Sequence, residues 1–231
     1  VYDKQKLPNY GVFDEKRYFS SSKKPGVFKH KGKIFGLLIC EDVWEEGPLE
    51  ELSKLNVDYV VCVNASPYEF NKTKNKFNII QNRLNKLNDF FLVYLNSVGG
   101  QDELLFDGNS FITKPKKNSP SNLPFFSGQF ISQNIIADFS NKNHIEITRK
   151  YENFPFHRKI LEDPIKQVNS ISEEKFLIYN LLNGLILAMK DYIEKNSIKK
   201  LFLGLSGGID SAVVLFIASK VINREKITAI M

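Results

Sequence analysis

Two stretches of the chain carry residue types that could do chemistry. In the first, Ile39-Cys40-Glu41-Asp42-Val43-Trp44, a cysteine closes an apolar run and two carboxylates follow at once. A cysteine at the end of a buried strand stands at a sheet edge, where a substrate can reach it. A free thiol has a pKa of about 8.5 and is a poor nucleophile until a base or a cation favours its thiolate. Histidine often does this, but His30, His144 and His157 all lie outside any motif-like setting. A lysine can help instead, stabilising the thiolate and then the oxyanion of a tetrahedral intermediate. A carboxylate then serves as general base. That is equipment for covalent acyl transfer.

The second stretch is Gly204-Leu205-Ser206-Gly207-Gly208-Ile209-Asp210-Ser211. It opens at the end of an apolar run, turns at Ser206-Gly207-Gly208, and enters a helix over residues 211–221. A Gly-rich turn of this kind aims backbone N–H groups and the positive end of a helix dipole at an anion. The kinase and GTPase loop is excluded, because that loop ends in Gly-Lys-Ser/Thr and here Gly208 precedes Ile209-Asp210-Ser211.

Each feature alone has a plainer reading. Cys40 would be a core cysteine, Glu41 and Asp42 caps of the next element, and Ser206–Ser211 a strand-turn-helix corner. Cys62 lies inside an apolar run with no acidic neighbour and is assigned to the core.

The elements that must position these residues follow from periodicity. Val1 onward is strand-like, with turns at Pro8-Asn9-Tyr10-Gly11 and Lys23-Lys24-Pro25-Gly26. His30-Lys31-Gly32-Lys33 reads as a hairpin tip. Residues 34–39, 57–63, 90–96 and 109–113 read as strands. Residues 48–55 and 73–87 read as helices, the second with Phe77, Ile80, Leu84 and Leu87 on one face. Residues 98–103 and 114–123 read as loops. The longest helix spans 170–197, with Ser170 and Glu173 as a capping box. Strands separated by helices give an α/β protein. The expected domains are 1–150 and 170–231, joined by a linker over 151–169 that contains Pro155 and Pro164. Both ends read as cut, so the chain is expected to be an internal piece of a longer protein.

The chain has 231 residues, 42% hydrophobic, enough for one large or two modest cores. Its net charge of +6 is spread over scattered lysines, which argues against a nucleic-acid face. Its two cysteines lie in apolar runs, arguing for reduced thiols and a cytoplasmic setting. No apolar run reaches the roughly 18 residues of a membrane helix.

Ser206-Gly207-Gly208-Ile209-Asp210-Ser211 resembles the PP-loop of the ATP pyrophosphatases, which cleave ATP to AMP and pyrophosphate while forming an adenylate. Upstream, Tyr2-x-Lys4-x-x-Leu7-Pro8-Asn9-Tyr10-Gly11, Ile39-Cys40-Glu41-Asp42-Val43-Trp44, Asn64-Ala65-Ser66-Pro67 and Val98-Gly99-Gly100-Gln101-Asp102-Glu103 resemble the nitrilase-type (CN hydrolase) glutaminase domain of glutamine-dependent NAD⁺ synthetases. That family fuses this amidase to a PP-loop synthetase in the order found here. The resemblance covers nearly the whole chain and is weakest over residues 114–169.

The resemblance implies an incomplete nitrilase-like α-β-β-α sandwich followed by the start of a parallel-sheet PP-loop domain. It implies a magnesium- and ATP-dependent ligase of NAD biosynthesis that amidates deamido-NAD⁺ with ammonia from glutamine. Its catalytic residues would be Cys40 as nucleophile and Lys4, rather than Lys6, as the lysine. The general-base glutamate would precede residue 1, and Glu15 would be the extra carboxylate that nitrilases hold near the lysine. Tyr10, Glu41, Ser66 and Lys72 would bind glutamine. Gly204, Leu205, Ser206, Gly207, Gly208, Ile209, Asp210 and Ser211 would bind ATP, with Asp210 holding Mg²⁺. Small-molecule substrates, no nucleic acid, no membrane and a homo-oligomer at full length complete the expectation. The alternatives are another glutamine-fed PP-loop ligase, such as a GMP or asparagine synthetase, and an inactive binding relative. The first fits poorly, because those glutaminases use a Cys-His-Glu set or an N-terminal cysteine.

Overall fold

The computed structural model describes residues 1–70, 73–116, 121–122, 133–137, 145–149 and 173–231. The expected linker over 151–169 lies outside them. The elements are α1 (Glu15–Tyr18), β1 (Gly26–His30), β2 (Lys33–Ile39), α2 (Pro48–Lys54), β3 (Tyr59–Asn64), α3 (Thr73–Leu84), β4 (Phe91–Asn96), β5 (Val98–Gln101), β6 (Leu104–Asp107), β7 (Phe111–Thr113), β8 (Ser121–Asn122), β9 (Gln133–Ala137), β10 (Ile145–Arg149), α4 (Glu173–Lys195), β11 (Leu201–Gly204), α5 (Ile209–Val221) and β12 (Ile227–Ile230).

The apolar runs of β2, β3 and β4 form a parallel centre, and antiparallel strands flank it, in the order β1-β2-β3-β4-β7-β8. Alternation along the strands sends Leu38, Val60, Cys62, Leu92 and Tyr94 to one face. There they meet Leu49 and Leu52 of α2 and Ile80 and Leu84 of α3 in a single buried cluster. Burying each such aliphatic side chain contributes about 1.5–3 kcal/mol. Trp44 packs edge-on against Tyr94 at this cluster's margin, with ring centroids 6.0 Å apart.

The opposite face is also apolar. Phe28, Phe35, Tyr59 and Phe91 stack in register across four strands, with centroid spacings of 5.0, 5.2 and 5.6 Å. Val63 and Leu95 on that face are exposed. A sheet apolar on both faces, with helices on one, is a layer built to pack against a second sheet.

The later part of the chain forms a β-α-β unit in which α5 connects parallel β11 and β12. The helix α4 packs on α5 and on the β5–β6 hairpin. No helix among the described residues is long and apolar enough to cross a membrane.

Several sequence readings change: the expected loop over 114–123 carries the short strand β8, the second helix ends at Leu84 rather than 87, and the last helix begins at Ile209 rather than 211. The Val1 segment forms no strand, because the N–H groups of Gln5 and Lys6 go to the Asp42 side chain instead of a sheet ladder. The stretch 98–103 is a hairpin rather than a loop, with Gly99 paired to Phe106 and Gly100 to Leu105. The strand at 109–113 shortens to β7, because Asn109 takes a left-handed φ of 45°. The α4 helix is described from Glu173, so the Ser170 end of the expected capping box lies outside the described residues.

Candidate functional site

The strand β2 ends at Ile39, and Cys40–Val43 wind into a single 3-10 turn. Cys40 takes a φ of 45°, the left-handed region that non-glycine residues avoid. Such a conformation costs about 1–3 kcal/mol and persists only where the surroundings enforce it. It turns the chain sharply at the thiol, which stays partly exposed. Burial pushes the Cys40 pKa up, and the Lys4 ammonium pulls against it. The Glu41 charge raises it further, while the Ala65 backbone N–H favours the thiolate. The net direction is upward, so the resting group is a thiol.

Lys4 is held to this position by Asp42, which is fully buried. Asp42 Oδ1 accepts the backbone N–H groups of Gln5 at 3.0 Å and Lys6 at 2.7 Å. Asp42 Oδ2 accepts the Tyr2 hydroxyl at 2.8 Å and the Ile39 N–H at 3.0 Å. One carboxylate therefore caps the turn behind Cys40 and ties down the segment that carries Lys4. The Lys4 ammonium itself donates to both oxygens of Glu15, at 2.7 and 2.6 Å.

The Tyr10 hydroxyl donates to both Glu41 oxygens at 2.9 Å. Burial and this carboxylate push the Tyr10 pKa up. Burial also raises Glu41, and the Tyr10 hydroxyl opposes that shift. Ser66 lies in the loop after β3. The Asn96 side chain holds both of its main-chain groups, accepting the Ser66 N–H at 2.9 Å and donating to its C=O at 3.2 Å. Asn96 Nδ2 also donates to Asp107 Oδ1 at 3.0 Å.

Cys40, Lys4, Tyr10, Glu41 and Ser66, drawn from four separate segments, thus converge on the C-terminal ends of β2 and β3. Lys72 lies outside the described residues. Sequence reasoning gave Asp42 only a capping role and overlooked Asn96 and Asp107. Their signal was slight, a polar residue closing an apolar strand in each of β4 and β6.

The residues Gly204 to Ser211 form a second, separate group. They leave β11 and enter α5, whose N-cap is Gly208, so Ile209 and Asp210 occupy the first helical turn. Gly207 sits at a φ of 79° with nothing within 4 Å of its Cβ position, and the loop is open. Ser211 Oγ donates to the Gly208 carbonyl at 3.0 Å. Among the described residues no group of three or more His, Cys, Asp or Glu could hold a metal ion. Asp210 is a lone carboxylate at a helix N-terminus. That fits only a magnesium ion that takes its other ligands from phosphates and water.

Residues 1–129 match the carbon-nitrogen hydrolase profile. The chain belongs to the carbon-nitrogen hydrolase family. Residues 181–231 match a second family, NAD synthase. Over its whole length it is 41% identical to the glutamine-dependent NAD(+) synthetase of Acinetobacter baylyi and covers 38% of that protein. It is 32% identical to the corresponding enzyme of Aquifex aeolicus and covers 42% of it. The chain therefore spans about two fifths of the length of these curated relatives. Among solved structures, the glutamine-dependent NAD+ synthetase of Acinetobacter baumannii in complex with adenosine diphosphate superposes with a TM-score of 0.72 at 34% identity, covering 99% of this chain and 39% of that one. The enzyme of Cytophaga hutchinsonii gives 0.60 at 18% identity, with 94% of this chain and 33% of that one covered, and bears on the fold alone.

Proposed function

We propose that the chain is part of a glutamine-dependent NAD⁺ synthetase. In this reading residues 1–150 are the glutaminase, 151–169 the linker, and 170–231 the start of the synthetase. The whole enzyme, a cytoplasmic homo-oligomer, converts deamido-NAD⁺, ATP, glutamine and water to NAD⁺, AMP, pyrophosphate and glutamate. The observation that carries the reading is the Lys4 ammonium and the Ala65 N–H acting together on a strained, partly exposed Cys40.

Cys40 Sγ attacks the glutamine side-chain amide carbon. The oxyanion that forms meets Lys4 and the Ala65 N–H, donors fixed in advance by Asp42 and by the end of β3. The C–N bond then breaks, ammonia leaves with the proton given up by the thiol, and a thioester remains. Water hydrolyses the thioester to glutamate. Tyr10, Glu41, Ser66 and Lys72 hold the glutamine, with the Glu41 carboxylate suited to its α-ammonium. Glu15 is engaged by Lys4 and Glu41 by Tyr10, so the general base is assigned to neither.

In the second half, the deamido-NAD⁺ carboxylate attacks the α-phosphorus of ATP, pyrophosphate leaves, and ammonia displaces AMP. The backbone N–H groups from Ser206 to Asp210 cradle the phosphates. Magnesium held by Asp210 would neutralise charge building on the leaving pyrophosphate.

The test uses the full-length protein. Cys40→Ala should abolish synthesis from glutamine and leave synthesis from added ammonium. Equal loss of both in a folded variant overturns the two-site reading.

A further inference from the structure

Asp191 and Lys195 lie one turn apart on one face of α4. Asp191 Oδ2 accepts the Gly100 N–H at 2.7 Å. Lys195 Nζ donates to the Gly100 carbonyl and, at 2.9 Å, to Gln101 Oε1. Both main-chain groups of one hairpin residue are thus taken by the helix. The approach leaves no room for a side chain. A Cβ at Gly99 would meet Asp191 Oδ2 at 2.7 Å, and one at Gly100 would meet the Ala188 Cα at 2.9 Å.

The hairpin held in this way reaches the amidase site. Its second strand, β6, accepts the Tyr68 N–H at the Leu105 carbonyl, at 2.6 Å. It also supplies Asp107, which is 1% exposed and hydrogen-bonds Asn96, the residue that grips both main-chain groups of Ser66. Beyond β6, the Gly108 N–H donates to the Ser97 carbonyl, and the Ser97 N–H to the Asn64 carbonyl. Apart from the exposed Lys195–Gln101 contact, these links between α4 and the 64–68 loop are hydrogen bonds to main-chain groups or to the buried Asp107. The Ala65 N–H in that loop favours the Cys40 thiolate.

We propose that Asp191 and Lys195 are positioning residues for the amidase site. They set the β5–β6 hairpin, and through it the loop that presents Ser66 and the Ala65 N–H beside Cys40. Residues 196–200 then lead from the same helix straight into β11 and the phosphate loop, so one element anchors both sites. The proposal rests on the glutaminase reading for its substrate, but not for its effect on Cys40.

The experiment compares Asp191→Ala, Lys195→Ala and Asp191→Asn in the full-length protein. Asp191→Ala should lower kcat/KM for glutamine roughly 10- to 100-fold, the scale that a small misplacement of a reacting group reaches. Lys195→Ala should do so more weakly. Asp191→Asn keeps an acceptor for the Gly100 N–H and should restore most of the loss. Ammonium-dependent synthesis should stay within about twofold, because the Cys40 site takes no part in it. Alkylation of Cys40 by iodoacetamide should slow several-fold in Asp191→Ala. An unchanged glutamine kcat/KM together with an unchanged alkylation rate overturns the proposal. So does a parallel fall in both synthetic activities, which marks a general structural role. If glutamine is not hydrolysed even by the wild type, the glutaminase reading fails, and the alkylation rate alone still decides the role of Asp191.

Discussion

Lys4 Nζ and Glu15 Oε2 lie 2.6 Å apart, with the lysine side chain 12% and the glutamate side chain 25% exposed. The pair holds the ammonium in place without leaving it in free solvent. If Lys4 stabilises the oxyanion, Lys4→Ala should cost on the order of 10²–10³ in glutaminase rate. Lys6 contributes its backbone N–H to Asp42, and alanine retains that group. Lys6→Ala should therefore stay close to wild type, within about 0.5 kcal/mol in stability. The reverse ranking in a steady-state glutamine assay would transfer the catalytic role to Lys6.

Asp42 is the joint between the Cys40 turn and the segment that carries Lys4. Asp42→Ala leaves three backbone N–H groups and the Tyr2 hydroxyl without their acceptor. Unsatisfied buried donors are expensive, and a loss of about 3 kcal/mol is expected. Asp42→Asn should fare little better, since both carboxylate oxygens face donors and one would become an NH₂. Urea unfolding and the glutaminase rate of the full-length protein test this together. Wild-type values for both in Asp42→Asn would refute it.

The positive φ of Cys40 separates two otherwise similar knockouts. Alanine keeps the strain of a left-handed backbone, roughly 1–2 kcal/mol, and glycine relieves it. Glycine gives back about 0.5–1 kcal/mol through the greater freedom of the unfolded chain. Both variants should be inactive with glutamine, and Cys40→Gly should melt at or above Cys40→Ala. A clearly lower melting temperature for the glycine variant would show that the turn is not strained.

Alkaline pH should destabilise the fold. Burial, as the leading cause, raises the pKa values of Cys40, Cys62, Tyr2, Tyr10 and Tyr94 above the ordinary values of cysteine and tyrosine. Each group holds its proton more tightly when folded, so its contribution is whole below the unfolded pKa and is lost as pH rises past it. Melting temperatures should hold to about pH 9 and then fall. Cys62→Ala should lower the plateau and make the first part of the fall shallower. A melting temperature that climbs above pH 9 would contradict the assigned directions.

Asp210→Asn keeps the size of the side chain in the first turn of α5 and removes its charge. If the carboxylate holds magnesium, pyrophosphate release should fall with either nitrogen source, while glutamine hydrolysis survives at least in part. Gly207 is a poor probe, because any side chain is strained at its φ of 79°. Gly208 has an ordinary φ of −85°. Gly208→Val should therefore weaken ATP binding by filling the space where phosphate would sit. Unaltered pyrophosphate release by Asp210→Asn across a magnesium titration would return the loop to a structural turn.

What the chain discloses locally, it discloses well. The apolar run of β2 predicts a strand that ends at Cys40, and the spacing of Phe77, Ile80 and Leu84 predicts the buried face of α3. The Ser206–Ser211 turn reads as a loop entering a helix, and it is one. The residues that remain hidden act across the chain. Asp42 works on residues 36 and 37 positions earlier, and Asn96 on one 30 positions away. Neither leaves a periodic trace. The Gly99-Gly100 hairpin escaped for a related reason. Glycine has no side chain to alternate, and the helix that requires its absence lies about 90 residues further on.

The edge contact between Trp44 and Tyr94 gives the chain an optical handle. Trp44 is its only tryptophan. It sits at the end of the turn that begins with Cys40, edge-on against the Tyr94 ring. Acylation of the neutral thiol would change the local dipole and packing within one turn of the indole. If Cys40 forms the proposed thioester, Trp44 emission should give a label-free, stopped-flow record of its formation and decay.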